Sequence, residues 1–238
     1  MTTTTSPAAA PSRTSAPRAR GGWLWITLSS LAIVAFAVGP YLTSSLAQLA
    51  SSRGGLADNY AHRPVPVQVA FYVHVLFGGI ALMVGPVQFL ARLRQRRPAL
   101  HQATGRVYLI AVAVAGIAGL GIAPVNRAGF DGFFGFGTLA VLWLYTALRA
   151  YRAARGRDFA SHQAWMIRNF ALTYAAVTLR AWTGLLIVVQ VPFLHGTVTP
   201  EVSSHMFANA YWAVPFLCWV PNIVVAEWLV RRRGLPGI

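Results

Sequence analysis

Six histidines and twenty arginines face only five acidic residues in this chain. Two phrases stand out among them. "HQATGRVYL" starts at His101 and "HQAWMIRNFAL" at His162, 61 residues apart, each with an arginine five or six residues after its histidine. An imidazole can ligate a metal or relay a proton, and a guanidinium binds carboxylate or phosphate. His101 with Arg106, and His162 with Arg168, are therefore candidate ligand or cofactor residues. The same residues would also serve at an interface, the imidazoles capping helices and the arginines gripping lipid phosphates.

A second group lies inside apolar runs. His74, Gly78, Ala81, Gly85, Gln88 and Arg92 fall on one helix face, small or polar throughout. Asn169, Thr173, Ala176, Arg180 and Gly184 repeat the pattern further along. Arg180 stands about 18 Å along the helix from Arg168, and a charge at that depth costs about 2.5 kcal/mol or more unless paired or solvated. None of the five acids reaches it: Asp58, Asp131 and Glu201 fall in outer loops, Asp158 in an inner loop, and Glu227 near the inner end of the last run. Arg180 therefore needs backbone carbonyls, a water-filled cavity or an anionic ligand. The depths of His74 and Arg180 differ by roughly 9 Å, a gap the arginine side chain spans. The expectation is that His74, Gln88 and Arg180 look into one internal chamber. Asn222 and Glu227 are read as structural polar groups, with Glu227 level with Arg106 and Arg168 for an interfacial ion pair.

These residues need elements to hold them. The chain has 238 residues, 56% hydrophobic and 11% charged, against about 25% charged in a soluble domain. Its apolar residues come in long runs, which points to the membrane. Residues 1–21 are mostly Thr, Ser, Ala, Pro and Arg, a tail too polar and repetitive to bury a core and expected to be disordered. Residues 22–233 read as a six-span, all-α transmembrane bundle, with a short C-terminal tail at 234–238. The spans are placed at Trp23–Gln48, Val67–Leu90, Val107–Pro124, Phe133–Ala150, Ala164–Pro192 and Met206–Val230. The first run is longer than a signal-peptide core, so it is expected to be retained as a helix.

All twenty basic residues are arginine. With the N-terminus inside, sixteen lie on the cytoplasmic side and three outside, with Arg180 in mid-span. Positive charge collects on the cytoplasmic side, so both termini are expected there, in a multi-pass protein of the cell membrane. The net charge of +15 follows this topology and does not point to nucleic acid. The single Cys218 permits no internal disulfide and no cysteine-based metal site. Both His-Gln-Ala phrases close an Arg-rich inner loop and open an outward helix. Spans two and three thus look like a degenerate helix-loop-helix repeat of spans four and five.

"HVLFGGIALMVGPVQF" from His74, "HQATGRVY" from His101 and "HQAWMIRNFALT" from His162, followed by Arg180, resemble the signature of a bacterial integral membrane family, domain of unknown function 2306. The resemblance covers roughly residues 67–230. It implies a polytopic helical membrane protein and brings no activity with it.

Three functions fit these residues. The first is haem b binding or redox chemistry through histidines on facing helices, His101 with His162 or His74 with His205 or His195. The second is transport or binding of a small anionic or amphiphilic molecule at an Arg180/His74 cavity. The third is a structural or assembly role with no ligand. No acid pair, His-Glu-x-x-His or nucleophile motif supports an enzyme. Six histidines in a membrane chain tip the balance toward haem, although only His74 lies well inside a span.

Overall fold

The computed structural model describes residues 17–53, 56–194 and 197–237. Most of the expected N-terminal tail, together with His195, lies outside them. Among the described residues there is no strand. Proline and glycine punctuate the helices. α1 runs Pro17–Ala37, and Gly39-Pro40 starts the short α2 (Gly39–Thr43). α3 (Leu46–Arg53) and α4 (Leu56–Ala61) then form a cap over one end of the bundle. α5 (Val65–Val84) opens with a proline in its first turn, where the missing N–H is not needed. It tightens into a 3₁₀ segment, Gly85–Phe89, at Pro86.

α6 (Ala91–Arg96) leads into α7 (Pro98–Ile122), whose first residue is again a proline. α8 covers Gly129–Arg155. A tight turn through Arg157, with φ 59°, then places Asp158 to cap α9 (Phe159–Thr173), its side chain accepting the Ser161 N–H at 3.0 Å. The Ser161 hydroxyl, together with that N–H, holds the Asp158 carboxyl below the usual carboxylate range. α10 covers Ala175–Gln190, α11 Pro200–Leu217 and α12 Val220–Arg232.

Among the described residues, five helical runs are long and apolar enough to cross a membrane: Val65–Phe89, Pro98–Val125, Gly129–Arg155, Phe159–Phe193 and Pro200–Arg232. The first apolar run is shorter, Gly21–Ala37. It does not continue to Gln48 as expected, because Gly39-Pro40 and the extended Ser44 break it. The third run starts at Pro98 instead of Val107, so His101 sits in a helix and not in a loop. The fifth and sixth runs were each expected as one span. Both are interrupted, at Tyr174 and at Cys218–Trp219.

α5 lies along α7, α7 along α8, α8 along α9, and α10 along α11. The main core gathers Tyr108, Val112 and Ala115 of α7 with Trp143 of α8 and Trp165 and Phe170 of α9. Small residues set the closest approaches. A methyl group on Gly116 would press on Leu144, and one on Gly135 would meet the Pro215 backbone 2.9 Å away. Large apolar side chains such as Leu76, Ile117, Val141, Val188 and Val224 point outward, as a lipid-facing surface requires.

Candidate functional site

His74 and Arg180 line the same chamber, a partly open cavity of about 210 Å³. His74 reaches it from α5. Its Nδ1 lies 2.9 Å from the Ala115 carbonyl of α7, and its ring edge packs on Gly119, where a Cβ would come within 3.0 Å of Nδ1. A carbonyl only accepts, so Nδ1 carries the hydrogen and Nε2 of the neutral ring keeps its lone pair. Nε2 has no hydrogen-bond partner among the described residues.

Arg180 enters from α10. Its Nη1 donates to the Ala176 carbonyl of its own helix at 2.8 Å, and its other N–H groups have no protein acceptor among the described residues. Among the described residues no carboxylate stands on the chamber wall. Arg127 lines the cavity end nearer α4 and lies over the Phe207 ring at 5.1 Å. Tyr60 of α4 is there too, its phenol pushed up to about 12 by burial, so it stays a neutral hydrogen-bonding group. The rest of the wall is largely apolar and aromatic, including Phe136, Leu139 and Trp143.

A buried polar network stiffens the inner end. Tyr108 donates to Asn169 Oδ1 at 2.7 Å and lies 2.7 Å from Thr173 Oγ1. Asn169 Nδ2 donates to the Trp143 carbonyl and to Thr146, both at 2.8 Å. Trp143 Nε1 donates to Thr173 at 2.9 Å. In a low-dielectric interior such satisfied groups hold three helices in one arrangement. Asn169 and Thr173 were placed on this face from the sequence. Tyr108, Trp143 and Tyr211 were missed because aromatic residues in apolar runs give no sign of which rings turn inward.

Beside the network, the two interrupted runs lie side by side, α10 along α11 and α9 along α12. The Ala171 carbonyl, near the α9–α10 break, accepts from Asn222 Nδ2 at 3.1 Å. The Cys218 carbonyl, at the α11–α12 break, accepts from Thr178 at 2.6 Å and from Asn222 at 3.0 Å. Carbonyls near both breaks thus gain side-chain partners from neighbouring helices, which is how membrane helices tolerate breaks. Asn222 Nδ2 thus links α12 to carbonyls beside both breaks.

The other candidates lie off the chamber wall, with His101 and His162 close enough to each other to interact electrostatically. Gln88 is buried and donates to Thr104 of α7 at 2.8 Å, away from the chamber. The Pro86 turn re-aims it, so the single face running from His74 to Arg92 does not persist. Gly184 is exposed and touches nothing within 4 Å of a built Cβ. His101 and His162 each occupy the fourth position of their helix. His162 Nδ1 lies 2.9 Å from the Ala150 carbonyl, while His101 Nδ1 is buried without a partner.

Their arginines part company, because spacings of five and six residues differ by about 100° around a helix. Arg106 is exposed. Arg168 is 2% exposed and holds Glu227 through Nε at 2.5 Å and Nη2 at 2.9 Å, with its guanidinium over Trp165 at 4.7 Å. It is committed to an ion pair and is not free to grip lipid phosphate. No group of three or more His, Cys, Asp or Glu placed to hold a metal occurs among the described residues.

Neither a curated protein nor a solved structure matches the chain. The family described as "Predicted membrane protein (DUF2306)" matches residues 71–230, a stretch that carries His74, His101, His162, Arg180 and both interrupted helices. The chain belongs to the DUF2306 family of membrane proteins.

Proposed function

We propose that this protein binds a small organic anion in the Arg180 chamber and passes it across the membrane. The carrying observation is Arg180 itself: a guanidinium within a span, one carbonyl bond, an adjoining cavity and no carboxylate on the wall. An arginine so placed, with N–H groups left over beside a cavity, is suited to an anionic partner. The apolar remainder of the wall suits a ligand with a hydrocarbon body and one charged group. The interrupted helices beside the chamber add support, since discontinuous helices commonly build substrate sites near the middle of a membrane.

A haem held by two imidazoles is less well supported. His74 is the one histidine on the chamber wall among the described residues. The protein sits in the cell membrane with both termini inside and α1 as a sixth span. α1 supports this reading by packing on α5 and α10, with Trp23 Nε1 donating to the Pro86 carbonyl at 2.9 Å and Ser29 bonding Tyr174 at 2.7 Å.

The test is thermal unfolding in nanodiscs with benzoate, hexanoate and the neutral analogue benzamide. The acids should raise the melting temperature of the wild type, and benzamide should not. Arg180→Gln should abolish the response. Equal stabilisation by benzamide, or an undiminished response in Arg180→Gln, would overturn the proposal. So would no response to either acid.

A further inference from the structure

The histidine on the chamber wall has a specific consequence for what enters. We infer that the chamber takes up one organic carboxylate together with one proton, the carboxylate on Arg180 and the proton on Nε2 of His74. This rests on the anion-binding reading above and adds a coupled ion to it.

The tautomer carries the argument. Nδ1 already donates its hydrogen to the Ala115 carbonyl at 2.9 Å, and Gly119 holds that edge of the ring in place. The neutral ring thus offers the chamber only a lone pair at Nε2. A carboxylate drawn in by Arg180 offers lone pairs as well. The two can meet only if Nε2 gains a proton, which turns a repulsive contact into a charge-assisted hydrogen bond.

No neighbour substitutes for that proton. The other titratable or charged groups on the wall are Tyr60 from α4, Arg127 from the α7–α8 turn, Arg180 from α10, Tyr211 from α11 and Cys218 at the α11–α12 break. α7, α8 and α9 add none, and α5 adds only His74 itself. None is a carboxylate, so no fixed anion favours a charged His74 before the ligand arrives. The balance is simple. One proton from solution ends on Nε2, the carboxylate ends on Arg180, and the net charge of the chamber is the same before and after.

Size narrows the ligand. At about 210 Å³ the chamber exceeds the ~150 Å³ that accommodates benzene. It falls below the roughly 300–1,000 Å³ of drug-sized pockets. An acid the size of benzoate fits, with its ring against Phe136 and Leu139.

The experiment is calorimetric titration of the full chain in nanodiscs with benzoate, in two buffers of different ionisation enthalpy. Wild type should take up about one proton per benzoate. Its affinity should fall about tenfold per pH unit from about pH 7 to about pH 9, where a free imidazole is neutral. His74→Gln keeps a side-chain donor for Ala115 but cannot take the proton. It should bind benzoate with no proton uptake and no pH slope, and its unfolding temperature serves as the folding control. Binding by wild type without proton uptake, or full uptake retained in His74→Gln, defeats the coupling while leaving the anion site standing. No binding of benzoate by a folded wild type defeats both.

Discussion

At the residue scale, the protein handles buried cations in two ways. Arg168 is paired. Its guanidinium is held by Glu227 in a two-point contact and stacked on Trp165, and Arg149 also lies over that ring at 4.6 Å. Arg180 is unpaired and opens on a chamber. Removing a charge therefore means different things at the two sites. Glu227→Ala should destabilise the protein by about 3 kcal/mol, because it strands a buried guanidinium. Chemical or thermal unfolding in detergent measures this, and a change near zero would mean that water reaches Arg168. That Arg180 lacks an acidic partner was legible in the sequence, because all five acids were assignable to loops or to a helix end. That Arg168 is buried was not. Its neighbours in sequence resemble those around Arg106, and only the six-residue spacing turns it toward α12.

At the element scale, the bundle depends on where helices stop. Prolines at Pro66, Pro98 and Pro200 start helices, and Pro86 re-aims a chain that the hydropathy alone reads as one span. The breaks at Tyr174 and Cys218–Trp219 are stabilised by Asn222 and Thr178, which reach carbonyls on neighbouring segments. Glycine marks the tightest crossing. Gly135→Ala would drive a methyl group into the Pro215 backbone, which cannot give as a side chain tip can. It should lower stability by about 1–3 kcal/mol. Gly184→Ala meets nothing within 4 Å and should be neutral or slightly stabilising. Parallel melting curves of the two variants check the contrast, and equal losses would mean that α8 and α11 do not cross so closely.

At the scale of the whole molecule, the orientation expected from the arginine distribution and the proposed use of the chamber together predict a direction of loading. If both termini are cytoplasmic, the chamber end carrying Tyr60, Asn126 and Arg127 faces outward, and the inner end is closed by the Tyr108–Asn169–Thr173 network. The structure then corresponds to a state that loads from outside. A cysteine placed at Asn126 in a Cys218→Ala background should react with a membrane-impermeant maleimide added to whole cells, and one placed at Arg155 should not. The reverse pattern would invert the topology and the direction of loading. His101 and His162 occupy matching helix positions, but their hydrogen bonding differs.

The sequence by itself determined the class of molecule and the approximate place of its spans, because long apolar runs and arginine-rich connections obey lipid physics without reference to any fold. It also singled out His74 and Arg180, since a polar group inside such a run demands an explanation. Only the tertiary structure decided that these two share a chamber and that Gln88 does not join them. It alone decided that two spans are interrupted and that Asn222 braces the interruption. Those outcomes depend on helix rotation and on hydrogen bonds between segments more than forty residues apart, and no local pattern encodes either.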